Sequence, residues 1–322
     1  MQNSSGSPGV SAFTAFGLRA EAEPISPGLH VVATPIGNLG DITFRALATL
    51  AAADLVLAED TRVTKTLLAH YGITTPLFPY HEHNADQVRP QLLARLEAGA
   101  ALALVSDAGT PLISDPGFRL VGEAVKRGID VRPLPGASAV LAALVVAGLP
   151  TNRFFFEGFL PPKSGARRQR IAELAAIPGT LVFFESPRRA AAALADLAAV
   201  LGPRDAVMAR ELTKMFETVR RGSLPVLAAE IGSEEPPRGE IVLLVGPPTG
   251  EDAPVGASVL DAKIAEALKS LSVKDAAAVV SAETGQPRRK VYARAVELAA
   301  LARADLAAHP HADDGFSPAE TD

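Results

Sequence analysis

The sequence predicts an α/β fold: two successive α/β domains, followed by a small helical, helix-turn-helix-like extension. Three observations carry this. From Leu29 onward, short apolar runs of β type alternate with longer stretches of helical periodicity. The alternation restarts after "LPTNR", near residue 150, and from residue 259 only helical patterning remains.

Residues 1–28 come first. Their early Ser, Gly and Pro, without a basic n-region or a long apolar run, predict a flexible extension rather than a signal peptide. The first α/β domain is expected over residues 29–149. Its strand-like runs are "LHVVATP", "DLVLAED", "TPLFPYH", "ALALVSD" and "DVRPLP", with helical patterns between them. In "ITFRALATLAAA", for example, Ile42, Ala46 and Leu50 recur every four residues, one face of a helix. The apolar "AVLAALVVAGLP" is too short to span a bilayer, and Gly148 and Pro150 close it, so it reads as a buried helix. In the second domain, residues 150–246, "FFFEGF", "TLVFFES", "AVMAREL" and "EIVLLVG" are the expected strands. Residues 247–258 form a Pro/Gly-rich linker, and residues 259–306 a helical segment in which "ETGQP" separates two helices, the second opening with "RRK". Residues 307–322 read as a flexible tail.

The bulk properties narrow the function. Of 322 residues, 48% are hydrophobic and 21% charged, as in a soluble globular enzyme. A net charge of −5 excludes a generally basic nucleic-acid coat, so any such contact must use local patches. There is no cysteine, and the six histidines form no HExxH pair, so no metal site is expected. No stretch reaches the roughly 20 apolar residues of a membrane span. A cytoplasmic protein without membrane contact is expected.

The chemistry concentrates in three loops. "TPIGNLGD" (Thr34–Asp41) follows a strand and has two glycines, but no lysine for a phosphate and no G-x-G-x-x-G spacing. "SDAGTPLISDPG" places Ser106, Asp107, Gly109, Thr110, Ser114 and Asp115 directly after another strand. Two aspartates there suit ribose hydroxyls or a cationic group and would repel a phosphate. In "PLPGASA", Pro135 and Gly136 turn the chain and Ser138 can cap the apolar helix. All three are expected at the carboxyl ends of strands, where α/β sheets bind ligands.

In order, "TPIGNLGDIT", "AEDTR", "SDAGTPLISDPG", "PLPGASA", "EGFLPPKS", "FFESPRR", "RELTKMFET" and "RGEIVLLV" resemble the tetrapyrrole methylase superfamily, and most closely its ribosomal RNA branch. The likeness spans about Leu29 to Gly246. The helical end resembles that branch's helix-turn-helix extension. One departure from the tetrapyrrole enzymes is the triplet Gly109-Thr110-Pro111 in place of Gly-Asp-Pro, which the RNA branch shares. The resemblance implies S-adenosyl-L-methionine held between the two α/β domains and a homodimer. It also implies 2′-O-methylation of a cytidine in 16S rRNA of the small ribosomal subunit. The cofactor-binding positions so implied are Pro35, Gly37, Asp107, Gly109, Thr110, Ile113, Ser114, Asp115, Gly136 and Ser138.

A ribose hydroxyl benefits from a base or a stabiliser of the developing alkoxide. Candidates at other strand ends are Glu59, Asp60 and Arg62 in "AEDTR", where Arg62 can equally pair with Glu59 or Asp60 as a structural clamp, His81 and Glu82 in "YHEHN", and Glu185, preferred because it ends an apolar strand before two arginines. RNA contacts are expected from Lys163, Arg167, Arg168, Arg188, Arg189 and Lys214, and from Arg288, Arg289 and Lys290 in the helical segment. Two other readings remain open: a tetrapyrrole methyltransferase, and a non-catalytic RNA-binding protein of ribosome assembly.

Overall fold

The computed structural model describes residues 11–112, 117–248, 257–284 and 286–308. Residues up to Pro247 form one compact unit and those from Pro248 a second.

The first unit opens with an antiparallel hairpin, β1 (Ala12–Ala15) and β2 (Leu18–Glu21), where a flexible extension was expected. The reason is packing: Phe13 is buried in the apolar cluster of the first sheet, with Ala15 and Ala20 beside it. Then follow β3 (Gly28–Val32), α1 (Phe44–Ala52), β4 (Leu55–Ala58), α2 (Thr61–His70), β5 (Leu77–Pro79), α3 (Ala85–Glu97), β6 (Ala101–Val105), α4 (Phe118–Lys126) and β7 (Val131–Leu134). The five strands make a parallel sheet in the order β5-β4-β6-β3-β7. Because β6 is inserted between β3 and β4, the chain reverses its direction of winding there, which is where doubly wound sheets open a crevice. Both faces are covered, so the strands read as unbroken apolar runs. Ala103 and Val105 of β6 face α1 and α2, while Leu102 and Leu104 face α3 and α4.

Helix α5 (Ala139–Ala147) leads into β8 (Phe154–Phe159), α6 (Ser164–Leu174), β9 (Thr180–Glu185), α7 (Ala190–Leu201), β10 (Asp205–Arg210), β11 (Thr218–Ser223), α8 (Leu224–Ser233) and β12 (Ile241–Val245). The second sheet has the order β11-β10-β12-β9-β8 and is mixed: only β8 and β9 run parallel. Strand β11, "TVRRGS", is absent from the sequence reading because its arginines mask the alternation. The expected boundary near residue 150 also shifts. Helix α5 packs its Val140, Ala143, Leu144 and Ala147 on the second sheet, against Val182, Val207, Val242 and Leu244. Arg221 of β11 holds it there by donating to the carbonyls of Val146 and Ala147, which the helix itself leaves unpaired.

The basic run opening α6 has a structural role that the sequence did not reveal. Arg167 is buried (4% exposed) and ion-paired to buried Asp196 of α7 at 2.6 Å. Arg168 Nε donates to the same carboxylate at 2.6 Å, and Ser164 Oγ at 3.0 Å. Burial pushes the Asp196 pKa up, but the bonds from Arg168, Arg167 and Ser164 outweigh it and hold the group ionised. Arg170 is likewise spent on Glu157 and Glu173.

The second unit contains α9 (Ala257–Leu268), α10 (Val273–Thr284) and α11 (Arg288–Ala308), around a small core of Leu260, Ile264, Ala277, Val280, Val291 and Ala295. Arg294 braces it through a two-bonded pair with Asp261.

One stability prediction follows from the α6–α7 network. Asp196→Ala strands the buried Arg167 charge and is expected to cost about 3–5 kcal/mol in denaturant unfolding. A loss below about 1 kcal/mol, as at exposed pairs, would show that the pair is not desolvated. The sign with pH is fixed: the folded pKa is lowered, so the contribution is complete above the unfolded value and fades as acid titrates the carboxylate.

Candidate active site

All strands of the first sheet run parallel, so the loops after β3, β4, β6 and β7 emerge along one edge. They are bonded to one another. Thr34 and Gly109 exchange two backbone hydrogen bonds (2.9 and 3.1 Å), tying the loop after β3 to the loop after β6. Thr34 Oγ1 donates to the Ser106 carbonyl at 3.2 Å. Asp107 Oδ1 accepts from Asp60 N–H at 2.8 Å, bringing in the loop after β4. Thr110 Oγ1 donates to the Ala137 carbonyl at 3.1 Å, bringing in the loop after β7.

The glycines make these contacts possible. Gly109 has φ 82, and a Cβ there would lie 3.0 Å from Ile36 Cγ2; at Gly136 it would lie 2.9 Å from Ala33 Cβ. Ser138 caps α5 as expected, accepting from Leu141 N–H at 3.5 Å. Thr110, Gly136 and Ser138 therefore hold the loops in place and do not line the cavity described next.

A cavity of about 380 Å³ opens inside these loops, within the range of about 300–1,000 Å³ typical of small-molecule sites. Its apolar wall is Pro35, Ile36, Leu39, Val63 and Leu67, and its polar groups include Ser106, Asp107, Lys214 and Glu240. The last two stand in loops of the second sheet, Lys214 between β10 and β11 and Glu240 immediately before β12. A second cavity, about 370 Å³, shares Ile36, Ala108 and Glu240 with the first and adds Phe159, Phe184, Glu185, Ser186 and Val242. The register explains the meeting: Ile241 pairs with Glu185 on one side and Arg210 on the other, so Glu185, Glu240 and Glu211 share one sheet edge.

Lys214 crosses from this edge onto the first loop. Its aliphatic stem lies over Gly37, where a Cβ would come within 2.5 Å of Lys214 Cε. Its ammonium is paired with Glu211 at 2.9 Å and Glu240 at 3.2 Å. Burial disfavours that charge, yet the bond to Glu211 and the Glu240 carboxylate more than offset it and raise the pKa. Glu211 is lowered correspondingly, first by its bond from Lys214 and then by one from the Glu240 backbone. Lys214, expected to contact RNA, instead lines the cavity, and Glu240, not among the expected site residues, lies beside it. The pattern "RGE" ahead of a buried strand was the available signal.

The remaining expected residues divide clearly. Glu185 lines the second cavity but is 3% exposed and engaged: it accepts from Ser186 N–H at 2.7 Å and pairs with Arg189 at 3.2 Å. Asp60 caps α2 and grips Arg62 at 2.6 Å; neither lines either cavity, and the Arg62 side chain is 89% exposed. That grip lowers the Asp60 pKa to about 2, so the clamp persists through the working pH range and is lost only in strong acid. Ile113, Ser114 and Asp115 lie outside the described residues. Of the expected RNA contacts, Arg167 is withdrawn by burial, Arg168 is tied to Asp196, and Arg189 is committed to Glu185 and the Leu160 carbonyl. Lys163 and Arg188 are exposed and have no side-chain partner among the described residues, and Arg288, Arg289 and Lys290 are exposed on the first turn of α11.

The chain matches two family models: tetrapyrrole (corrin/porphyrin) methylases over residues 28–228 and the RsmI C-terminal HTH domain over residues 254–299. It is 50% identical over 279 residues to the ribosomal RNA small subunit methyltransferase I of Mesorhizobium japonicum, covering 86% of this chain and 94% of that one. It is 51% identical over 272 residues to the protein of the same name from Xylella fastidiosa strain Temecula1, covering 83% and 98%. Among solved structures, diphthine synthase superposes with a TM-score of 0.53 at 18% identity, covering 68% of this chain and 89% of that one; the likeness is one of fold. With its three bonded loops, its cleft edge and its helical second unit, the chain belongs to the tetrapyrrole (corrin/porphyrin) methylase family, in the branch of ribosomal RNA small subunit methyltransferase I.

Proposed function

We propose that the chain methylates the ribose 2′-oxygen of a cytidine in 16S rRNA, using S-adenosyl-L-methionine bound in the cavity between the two sheets. The observation that carries this is the composition of that cavity. It combines an apolar wall, an aspartate whose Oδ1 holds a neighbouring loop and whose Oδ2 has no hydrogen-bond donor among the described residues, and a lysine paired with two carboxylates. Such a lining fits a molecule with an adenine, ribose hydroxyls and a zwitterion. When bound, the cofactor supplies an electrophilic sulfonium methyl.

The residues then divide the work. Ile36, Leu39, Val63 and Leu67 exclude water, and Asp107 orients hydroxyls or an ammonium. Lys214 holds the first loop closed and offers its charge to a carboxylate. Glu240 borders both cavities and its side chain is 69% exposed, so it is placed to take the proton of a hydroxyl in the second cavity. Glu185, buried and bonded, serves as a positioning residue for the Ser186–Arg189 turn. Alignment of nucleophile and methyl supplies the larger part of the rate, up to roughly 7–11 kcal/mol.

RNA grip is assigned to Lys163, Arg188, Arg288, Arg289 and Lys290. The last three stand at a helix N-terminus, where the dipole disfavours cations, so their presence does not serve stability. A homodimer is supported by α5, which leaves Leu141 and Val145 exposed at 55% and 79% on one stripe. Among the described residues no helix is long and apolar enough to cross a membrane, and a cytoplasmic site of action is in keeping with a ribosomal substrate.

Incubating small subunits, naked rRNA and a porphyrin with methyl-labelled S-adenosylmethionine is expected to place label on a cytidine 2′-oxygen of the rRNA. Label on a base, or on the porphyrin, would contradict this reading. For the residues, Glu240→Gln is expected to lower kcat about a hundredfold while the cofactor Kd stays near wild type. Lys214→Met is expected to weaken cofactor binding about tenfold, the value of one charge-assisted hydrogen bond. Calorimetry and steady-state rates read both, and an unchanged kcat in Glu240→Gln removes that residue from proton transfer.

A further inference from the structure

The hairpin at residues 12–21 has a strained tip. Its two-residue loop, Phe16-Gly17, has φ angles of 52 and 75, both positive as a type I′ hairpin requires. Asn, Asp or Gly fill the first of these positions at least cost, whereas a bulky phenylalanine there is an outlier. Backbone outliers of this kind cluster at functional sites. The ring thus displayed is 89% exposed and stands edge-to-face with Phe44, itself 62% exposed, with centroids 6.2 Å apart.

Charge accompanies the rings. Arg19 on β2 and Arg45 on α1 are exposed, and neither has a side-chain partner among the described residues. This contrasts with Arg167, Arg170 and Arg220, which are all spent on internal carboxylates. The hairpin is also joined to the cleft. Thr14 N–H donates to the Tyr71 carbonyl at 2.7 Å, and Tyr71 Oη donates to the carbonyl of Leu39, a cavity-lining residue, at 2.6 Å.

We propose that the hairpin tip is a stacking platform for an unpaired nucleobase of the RNA substrate, with Phe16 and Phe44 supplying the rings and Arg19 and Arg45 the phosphate contacts. This rests on the RNA-methylation reading above. It requires an aromatic face beside cations, the combination that sequence-tolerant single-strand binding uses.

The test uses the full chain and a short, unstructured, fluorescently labelled RNA, read by anisotropy without cofactor. Phe16→Asn suits the turn, so it should raise the thermal midpoint while weakening RNA binding about tenfold. Phe16→Trp should bind like wild type. Unaltered RNA affinity in Phe16→Asn would overturn the proposal, as would equal losses in the Asn and Trp variants. A change of oligomeric state on sedimentation would overturn it too, showing the tip to be a contact between copies. Binding is scored separately from methyl transfer, so a wild-type chain that binds RNA and methylates none refutes the assigned reaction and leaves the platform standing.

Discussion

The paired backbone bonds between Thr34 and Gly109 are the constraint on which the site depends. They close the loop after β3 onto the loop after β6 at the point where the winding of the sheet reverses. Around them the other loops fall into place: Asp107 reaches Asp60, Thr110 reaches Ala137, and Ile36 is freed to pack with α5 on the second sheet. No Cβ fits comfortably at Gly109, since it would meet Ile36 at 3.0 Å. The cavity is therefore a product of how closely these loops approach one another. Its glycines serve neighbouring protein atoms before they serve a ligand.

The second sheet completes the site by a different logic. Its antiparallel register places Glu185, Glu240 and Glu211 on one edge, and Lys214 bridges that edge to the first loop over Gly37. A positive charge balanced by two carboxylates can orient a zwitterion without attracting phosphate. This accounts for a glycine-rich strand-to-helix loop with no nucleotide-phosphate chemistry.

Much of the fold was legible in the sequence because buried parallel strands advertise themselves as apolar runs: β4 and β6 fall inside the runs read from residues alone, and β3 does so except for Gly28. What escaped detection was whatever depends on a distant partner. Strand β11 hides behind its arginines, two of which are tied to Glu234 and to the end of α5. Arg167 looks like an RNA contact until Asp196, far along the chain, is brought to 2.6 Å. The hairpin at the start looked flexible because the apolar surface that orders Phe13 belongs to other elements. At the site, the three loops were readable from their turn residues, but Glu240 was not, since its importance arises from the register between β12 and β9.

The most direct measurement is the affinity of a Gly109→Ala variant for S-adenosylmethionine by calorimetry, with folding checked by its thermal midpoint. A Cβ at φ 82 beside Ile36 should pry the two loops apart. The variant is expected to fold but to bind the cofactor at least about tenfold more weakly, the equivalent of one good hydrogen-bonded contact. A folded variant with wild-type affinity would contradict the claim that loop closure at Thr34–Gly109 builds the site.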